Sequence, residues 1–215
     1  MDPSIVAVCV VHEIRRDAGI VGRTAIDKRP VDGPVRVGTL GLAGDTQCDT
    51  ERHGGCDKAL YAYAEADAQR WAAELGRPAQ PGMFGENLTV RALAVTDAVV
   101  GERWRVGADV QVEVTSPRLP CATFARHVQQ PRWVRRFSDR TDVGVYLRVL
   151  HPGCVTAGDA IQRLHVPEHG VTAREVFTAI MNGPADPDRL RLLLAGDALA
   201  AALRPYLEKA LARHT

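Results

Sequence analysis

Short apolar runs broken by glycine and proline dominate most of this chain. The run IVAVCVVHEI at residues 5–14 is rich in β-branched side chains and too short for an independent helix, so it reads as a largely buried strand. The stretch KRPVDGPVRVGTLGLAGD is punctuated by Pro30, Gly33, Pro34, Gly38, Gly41 and Gly44, a density that favours short strands joined by tight turns. In GERWRVGADVQVEV, Trp104 and Val106 alternate with arginines, and Val110, Val112 and Val114 alternate with polar residues. Gly107 and Ala108 between the two runs predict a tight hairpin. VGVYLRVLHPGCVTAGDAIQRL repeats the scheme, with an apolar run, a Pro-Gly turn and a closing strand. Many short strands and few helices predict a mainly β fold with a closed or nearly closed, barrel-like sheet.

Helical spacing first occurs in AEADAQRWAAELG, where Ala64, Ala68, Trp71, Ala72 and Leu75 share a face and Gly76 can stop the helix. The character changes near residue 167. Thr172 with Glu175 three places later forms a capping-box pattern. Asp186 is a candidate N-cap, Pro187 sits at the first helical position, and Gly196 marks an end. DALAAALRPYLEKALARH is helical in composition, with Pro205 as a kink or a new start. The expected organisation is a β-rich domain over 1–166 and a small three-helix extension over 167–215.

Composition narrows the classes. Apolar residues make up 46% and charged residues 25% of the 215, which fits a folded globular chain rather than a disordered or fibrous one. The formal net charge of +1 gives no general pull toward nucleic acid or anionic lipid. RHVQQPRWVRRFSDR is locally basic around Trp133, and in a near-neutral chain it reads as a solvated face, not a stacking platform. No apolar stretch approaches membrane-spanning length, and Asp2 stands where a secretory leader would carry a cation. Five scattered cysteines do not resemble a disulfide framework, so a cytoplasmic protein is expected. A two-fold dimer is the base-rate expectation.

Two clusters carry candidate chemistry. In CDTERHGGCDKAL, Cys48, His53 and Cys56 have spacings unlike paired zinc ligands. An anion cradle suits the stretch better: Gly54 and Gly55 let backbone N–H groups approach an oxyanion, flanked by His53 and Lys58. A plain polar turn is the competing reading. In SPRLPC, Pro117 and Pro120 stiffen the backbone around Cys121, while Arg118 and His127 stand close enough in sequence to raise its thiolate fraction. The competing reading there is a small apolar filler, which is what Cys9 and Cys154 are expected to be. GMFGENLTV offers Asn87 as donor and acceptor and Glu86 as an orienting carboxylate. Lys28 precedes a proline two places later, and is either a solvated charge or an oxyanion ligand.

Taken in order, TAIDKRPVDGPVRV, GLAGDTQCDTERHGGCDKALYAY, PGMFGENLTV and SPRLPC resemble the MOSC-domain family and, within it, the bacterial YiiM-type branch. The resemblance runs from about residue 5 to 165, and the helical tail is similar to the extension of that branch. It implies a β-barrel-like fold that binds the molybdenum cofactor (molybdopterin), with Cys121 coordinating the metal and Lys28 and Asn87 beside it as catalytic residues. The anionic cofactor would be held by Lys28, His53, Gly54, Gly55, Lys58, Glu86, Asn87, Arg118 and His127; Asp45 would brace a turn. Pyridoxal phosphate binding is a further property that the family label admits. At position 123 the chain carries threonine where the branch leads one to expect lysine. The function implied is reduction of N-hydroxylated compounds such as hydroxylaminopurines, with electrons from a separate flavin-containing reductase. The chain lacks a G-x-G-x-x-G turn and an iron–sulfur cysteine set of its own. A cofactor or sulfur carrier without turnover is the alternative, and a thiol hydrolase using Cys121 and His127 is a third reading.

Overall fold

The computed structural model describes residues 2–49, 54–181 and 183–213. Strand β1 (Ser4–Arg16) turns back into β2 (Arg23–Pro30), and the Gly- and Pro-rich stretch forms β3 (Val35–Gly38) and β4 (Gly41–Leu42). A turn of 3-10 helix at Cys56–Lys58 leads into β5 (Leu60–Ala64) and α1 (Glu65–Leu75). Next come β6 (Leu88–Arg91), β7 (Arg103–Val106) and β8 (Val110–Pro117). Helices α2 (Ala122–Val128) and α3 (Trp133–Arg140) precede β9 (Val145–His151), β10 (Gly153–Val155) and β11 (Ile161–His165). Helices α4 (Ala173–Ile180), α5 (Pro187–Ala195) and α6 (Arg204–Leu211) follow.

The main sheet has the order β11-β7-β8-β9-β5-β6-β1-β2, and a smaller sheet has the order β10-β3-β4. Its valines, leucines and Trp104 fill the space between the sheets, as the alternation in β7 and β8 predicts. Of the closed or nearly closed sheet that was expected, full closure is not seen: β2 and β11 end the main sheet and do not pair with each other. The reason lies in β1. Its apolar first half, Ser4–Val8, pairs with β6, whereas its polar second half, Cys9–Arg16, is taken by β2. An isolated bridge from Ser4 to Ala160 ties the start of β1 to the approach of β11.

The solvated-face reading of residues 126–140 also needs correction. Trp133 and Phe137, four apart on α3, are buried against Trp71, Phe124 and Phe84. Trp71 and Trp133 have ring centroids 4.6 Å apart. Arg136 and Arg140 reach across to Glu74 at 2.5 and 2.7 Å, clamping α3 onto α1. This aromatic cluster is the bed on which α2 rests, and α2 begins immediately after Cys121.

In the C-terminal helices the sequence signals act as expected. Thr172 and Glu175 form both bonds of the capping box, a device worth about 1 kcal/mol. Asp186 accepts from the amides of Asp188 and Arg189, and α6 carries Pro205 in its first turn. The connection to α6 also touches the first cluster: the Ala201 amide donates to Asp57 Oδ2 at 3.1 Å. Among the described residues no helix is long and apolar enough to cross a membrane.

Asp67, on α1, gives a pH-dependent stability. It is 6% exposed, and burial, with the charge of Asp142 next in size, pushes its carboxyl from 3.8 up to about 6. A raised carboxyl binds its proton more tightly folded than unfolded, so its contribution is full below pH 3.8 and is lost as pH rises through 6. The advantage of Asp67→Asn over the parent is expected to grow by on the order of 2 kcal/mol from about pH 4 to about pH 7. Urea midpoints at several pH values check it; a pH-independent difference contradicts it.

Candidate functional site

Four separate stretches deliver side chains to one place. Lys28 comes from β2, Asn87 from the turn before β6, Lys58 from the end of the 3-10 helix, and Arg118 with Cys121 from the segment between β8 and α2. All five line a cavity of about 480 Å³. The turn at 81–87 reaches it through a close backbone approach. Gly82 has φ +89°, and a Cβ there would lie 2.2 Å from the Lys28 carbonyl oxygen, so only glycine lets the turn seat on β2.

The cations differ in their company. Lys28 donates to Asp45 Oδ2 in an ion pair whose partners are 9% and 5% exposed. Burial pulls the Lys28 ammonium down, and Asp45 opposes that shift. An ammonium has three N–H donors, and among the described residues only Asp45 takes one of them. Arg118 is 6% exposed; its Nη1 donates to the Phe84 carbonyl at 2.8 Å, and its Nε has no partner. Its guanidinium lies 4.2 Å from the Phe124 ring centroid and 4.8 Å from that of Tyr61. Among the described residues Arg118 forms no ion pair with a carboxylate. A buried cation so placed is costly unless an anion enters beside it. Lys58 Nζ stands 5.6 Å from the Tyr146 ring centroid, and burial lowers its pKa.

Asn87 lines the cavity with its bonding capacity already committed. Nδ2 donates to Cys9 O at 3.2 Å and to Asp45 Oδ2 at 2.8 Å, and Oδ1 accepts from the Tyr61 amide at 3.1 Å. It stitches β1 to β5 and orients Asp45, which also accepts from the Val11 amide at 3.0 Å. Asp45 thus does more than brace a turn, because it fixes Lys28 and Asn87 together.

Four residues expected to contact the cofactor are not among those lining the cavity. Glu86 is fully buried, with its carboxylate accepting from the Gly82 and Phe84 amides at 2.7 and 3.0 Å and from Thr89 Oγ1 at 3.1 Å. It is the brace of its own turn. His127 turns away because α2 carries it past the mouth: Arg15 donates to its Nδ1 at 3.1 Å, and burial lowers its pKa. Gly54 and Gly55 are not among the lining residues; Gly55, at φ +88°, opens the 3-10 helix instead. His53 lies outside the described residues. Among the described residues, which do not include His53, no three His, Cys, Asp or Glu side chains gather as metal ligands. Cys9 is the expected filler, buried completely with its thiol pushed up to about 12.

The structure adds residues that the motifs did not mark. Tyr61 and Tyr146 wall the cavity, and Tyr61 is held by its hydroxyl donating to Val143 O at 2.8 Å. The β1–β2 turn, at residues 17–22, and the first two residues of β2 also line the cavity. Asp17 accepts from Arg126 Nε at 2.7 Å, Arg126 Nη2 at 2.5 Å and Thr123 Oγ1 at 2.9 Å. The Arg126 hydrogen bond holds the Asp17 carboxyl well below the usual carboxylate range. The threonine at position 123 is therefore part of a latch between turn and helix. A signal for the turn was present in GIVG, an apolar pair between two glycines.

The family model for the MOSC domain matches residues 49–162. Protein YiiM of Escherichia coli is 31% identical over 189 residues, covering 86% of this chain and 84% of that protein. A protein of Gibberella moniliformis named Reductase is 32% identical over 149 residues, 67% of this chain but 26% of its own length. The crystal structure of YiiM from Geobacillus stearothermophilus superposes with a TM-score of 0.80 at 26% identity, covering 97% of this chain and 99% of that one. With its ordered motifs gathered in one cavity and the C-terminal helices included in the superposition, the chain belongs to the MOSC-domain family as a YiiM-type member.

Proposed function

We infer that this protein is a molybdenum cofactor-dependent reductase of N-hydroxylated compounds that takes its electrons from a separate reductase. The observation that carries the reading is the pairing, in one cavity, of the Cys121 thiol with the buried Arg118 guanidinium whose Nε lacks a partner. A soft sulfur ligand and buried cations are the donor set that a molybdenum centre on a phosphate-bearing pterin needs. The residues present fit the group. Cys121 would hold the metal, while Arg118 and Lys58 would hold anionic oxygens.

When bound, the cofactor supplies a two-electron metal centre. The net reaction is R–NHOH + 2 e⁻ + 2 H⁺ → R–NH₂ + H₂O, in which the N–O bond breaks and the oxygen leaves as water. Lys28 would hold the substrate oxygen; Asn87 and Asp45 would keep Lys28 in position. Tyr61 and Tyr146 would limit water at the reacting end. The Reductase name of the Gibberella moniliformis relative supports the same class of activity.

The test uses protein purified from a host that makes the cofactor. Molybdenum at about one atom per chain is expected, with reduction of 6-hydroxylaminopurine to adenine by a reduced viologen dye. Protein without molybdenum overturns the assignment. Bound molybdenum with no turnover would make the protein a carrier.

A further inference from the structure

The C-terminal extension reaches the wall of the cavity between α5 and α6, where the chain makes a turn of 3-10 helix at Ala201–Leu203. The Ala201 amide donates to Asp57 Oδ2 at 3.1 Å. The amide before it, of Ala200, donates to the Thr115 carbonyl on β8 at 3.0 Å. Thr115 in turn donates its hydroxyl to the Asp57 carbonyl at 2.5 Å. The other carboxylate oxygen of Asp57 accepts from Arg148, on β9, through Nε at 2.9 Å and Nη2 at 2.7 Å. Strands β8 and β9 and the extension therefore meet at Asp57. Lys58 follows it in the same 3-10 turn and lines the cavity, which Asp57 does not. Neighbouring Cα atoms are about 3.8 Å apart across a trans peptide, so a restraint on Asp57 fixes where the Lys58 stem begins. Gln47 Nε2 holds the far side of Lys58 by donating to its carbonyl at 2.7 Å. A lysine is a point charge on a flexible stem, and fixing the base of that stem lowers the entropy lost when the ammonium grips an anion.

We propose that Asp57 is a positioning residue, through which the turn at 200–201 of the C-terminal extension sets the place of Lys58 at the cavity and so its hold on an anionic oxygen of the ligand. The extension thereby acts on binding although none of its described residues lines the cavity. A carboxylate suits position 57 because a guanidinium and a backbone amide approach it from different elements, and each takes its own oxygen. The inference rests on the reading of Lys58 as an anion contact and is independent of turnover.

The test measures binding of inorganic phosphate to the full chain, free of cofactor, by phosphorus NMR titration. The variants are Asp57→Ala and Ala201→Pro, each alone and combined with Lys58→Met. Ala201→Pro removes one amide donor at little cost to the fold. Ala201 is exposed and first in its helical turn, and Ala200 before it, at φ −50° and ψ 128°, already has the backbone that a residue preceding proline adopts. Each single variant is expected to weaken phosphate binding about fivefold. Lys58→Met alone is expected to weaken it about tenfold, with the remainder held by Arg118. Once Lys58 is methionine, Asp57→Ala and Ala201→Pro are expected to change the affinity by less than about twofold, because the group they act through is gone. A loss of the same size with and without Lys58 overturns the inference, since a general loosening of the wall would act in both backgrounds. Unchanged affinity in Ala201→Pro overturns it, and this variant decides alone if Asp57→Ala does not fold. Unchanged affinity in Lys58→Met, or a parent that does not bind phosphate, removes the anion contact itself and overturns it too. Protein without molybdenum or turnover would defeat the reductase reading while these affinities stand.

Discussion

Cys121→Ala is expected to lower molybdenum content from about one atom per chain to below about a tenth, with reductase activity lost in proportion. Folding should survive the change. The residue is the N-cap of α2 but makes no side-chain capping bond, so removing its sulfur leaves no helix amide newly orphaned. Its side chain packs only partly buried against the aromatic cluster, where losing one sulfur leaves a small defect. What is lost is the soft ligand. Cys48, which lines the same cavity, provides the control, and Cys48→Ala is expected to keep its metal. Elemental analysis of both variants decides the matter. Full molybdenum in Cys121→Ala would remove the sulfur from the site, and loss in both would place the metal between the two cysteines.

Asp45→Ala is expected to cost the fold about 3 kcal/mol or more, because it leaves the buried Lys28 ammonium without its counter-charge. The Val11 amide and one Asn87 N–H lose their acceptor as well. The two effects separate in a double-mutant cycle. If the uncompensated charge dominates, Lys28→Met combined with Asp45→Ala recovers most of the lost stability, measured by urea midpoints. Equal stabilities of the single and double variants would instead make the backbone bonds the larger contribution. Either variant should reduce turnover, but the recovered fold of the double variant distinguishes a catalytic loss from an unfolding one.

The site was legible in the sequence to a limited depth. Lys28, Lys58, Arg118 and Cys121 meet as their motifs led one to expect, because each lies at the end of a strand or turn whose boundary glycines and prolines can be read. Asn87 lines the cavity as expected, with its bonds going inward to Cys9, Asp45 and Tyr61: an asparagine both donates and accepts, and only its neighbours decide whether those bonds go inward or to a ligand. Glu86 is the orienting carboxylate that its turn suggested, acting on the amides of Gly82 and Phe84 and away from the cavity. Tyr61 could not be assigned to a face, since every residue of β5 is buried and alternation carries no information there.

The chain alone determined the local elements: the strands of alternating valines, the capped helices at Thr172 and Asp186, and the stiff mount of Cys121. These depend on backbone sterics and on side chains within a few residues of one another. The tertiary structure decided which partner each half of β1 takes, and hence that the main sheet stays open at β2. It also decided that Trp133 is core and that Asp45 joins Lys28 to Asn87. Such outcomes depend on burial and on contacts between distant segments, where the free energy of a charged or apolar group is set by what the fold places beside it.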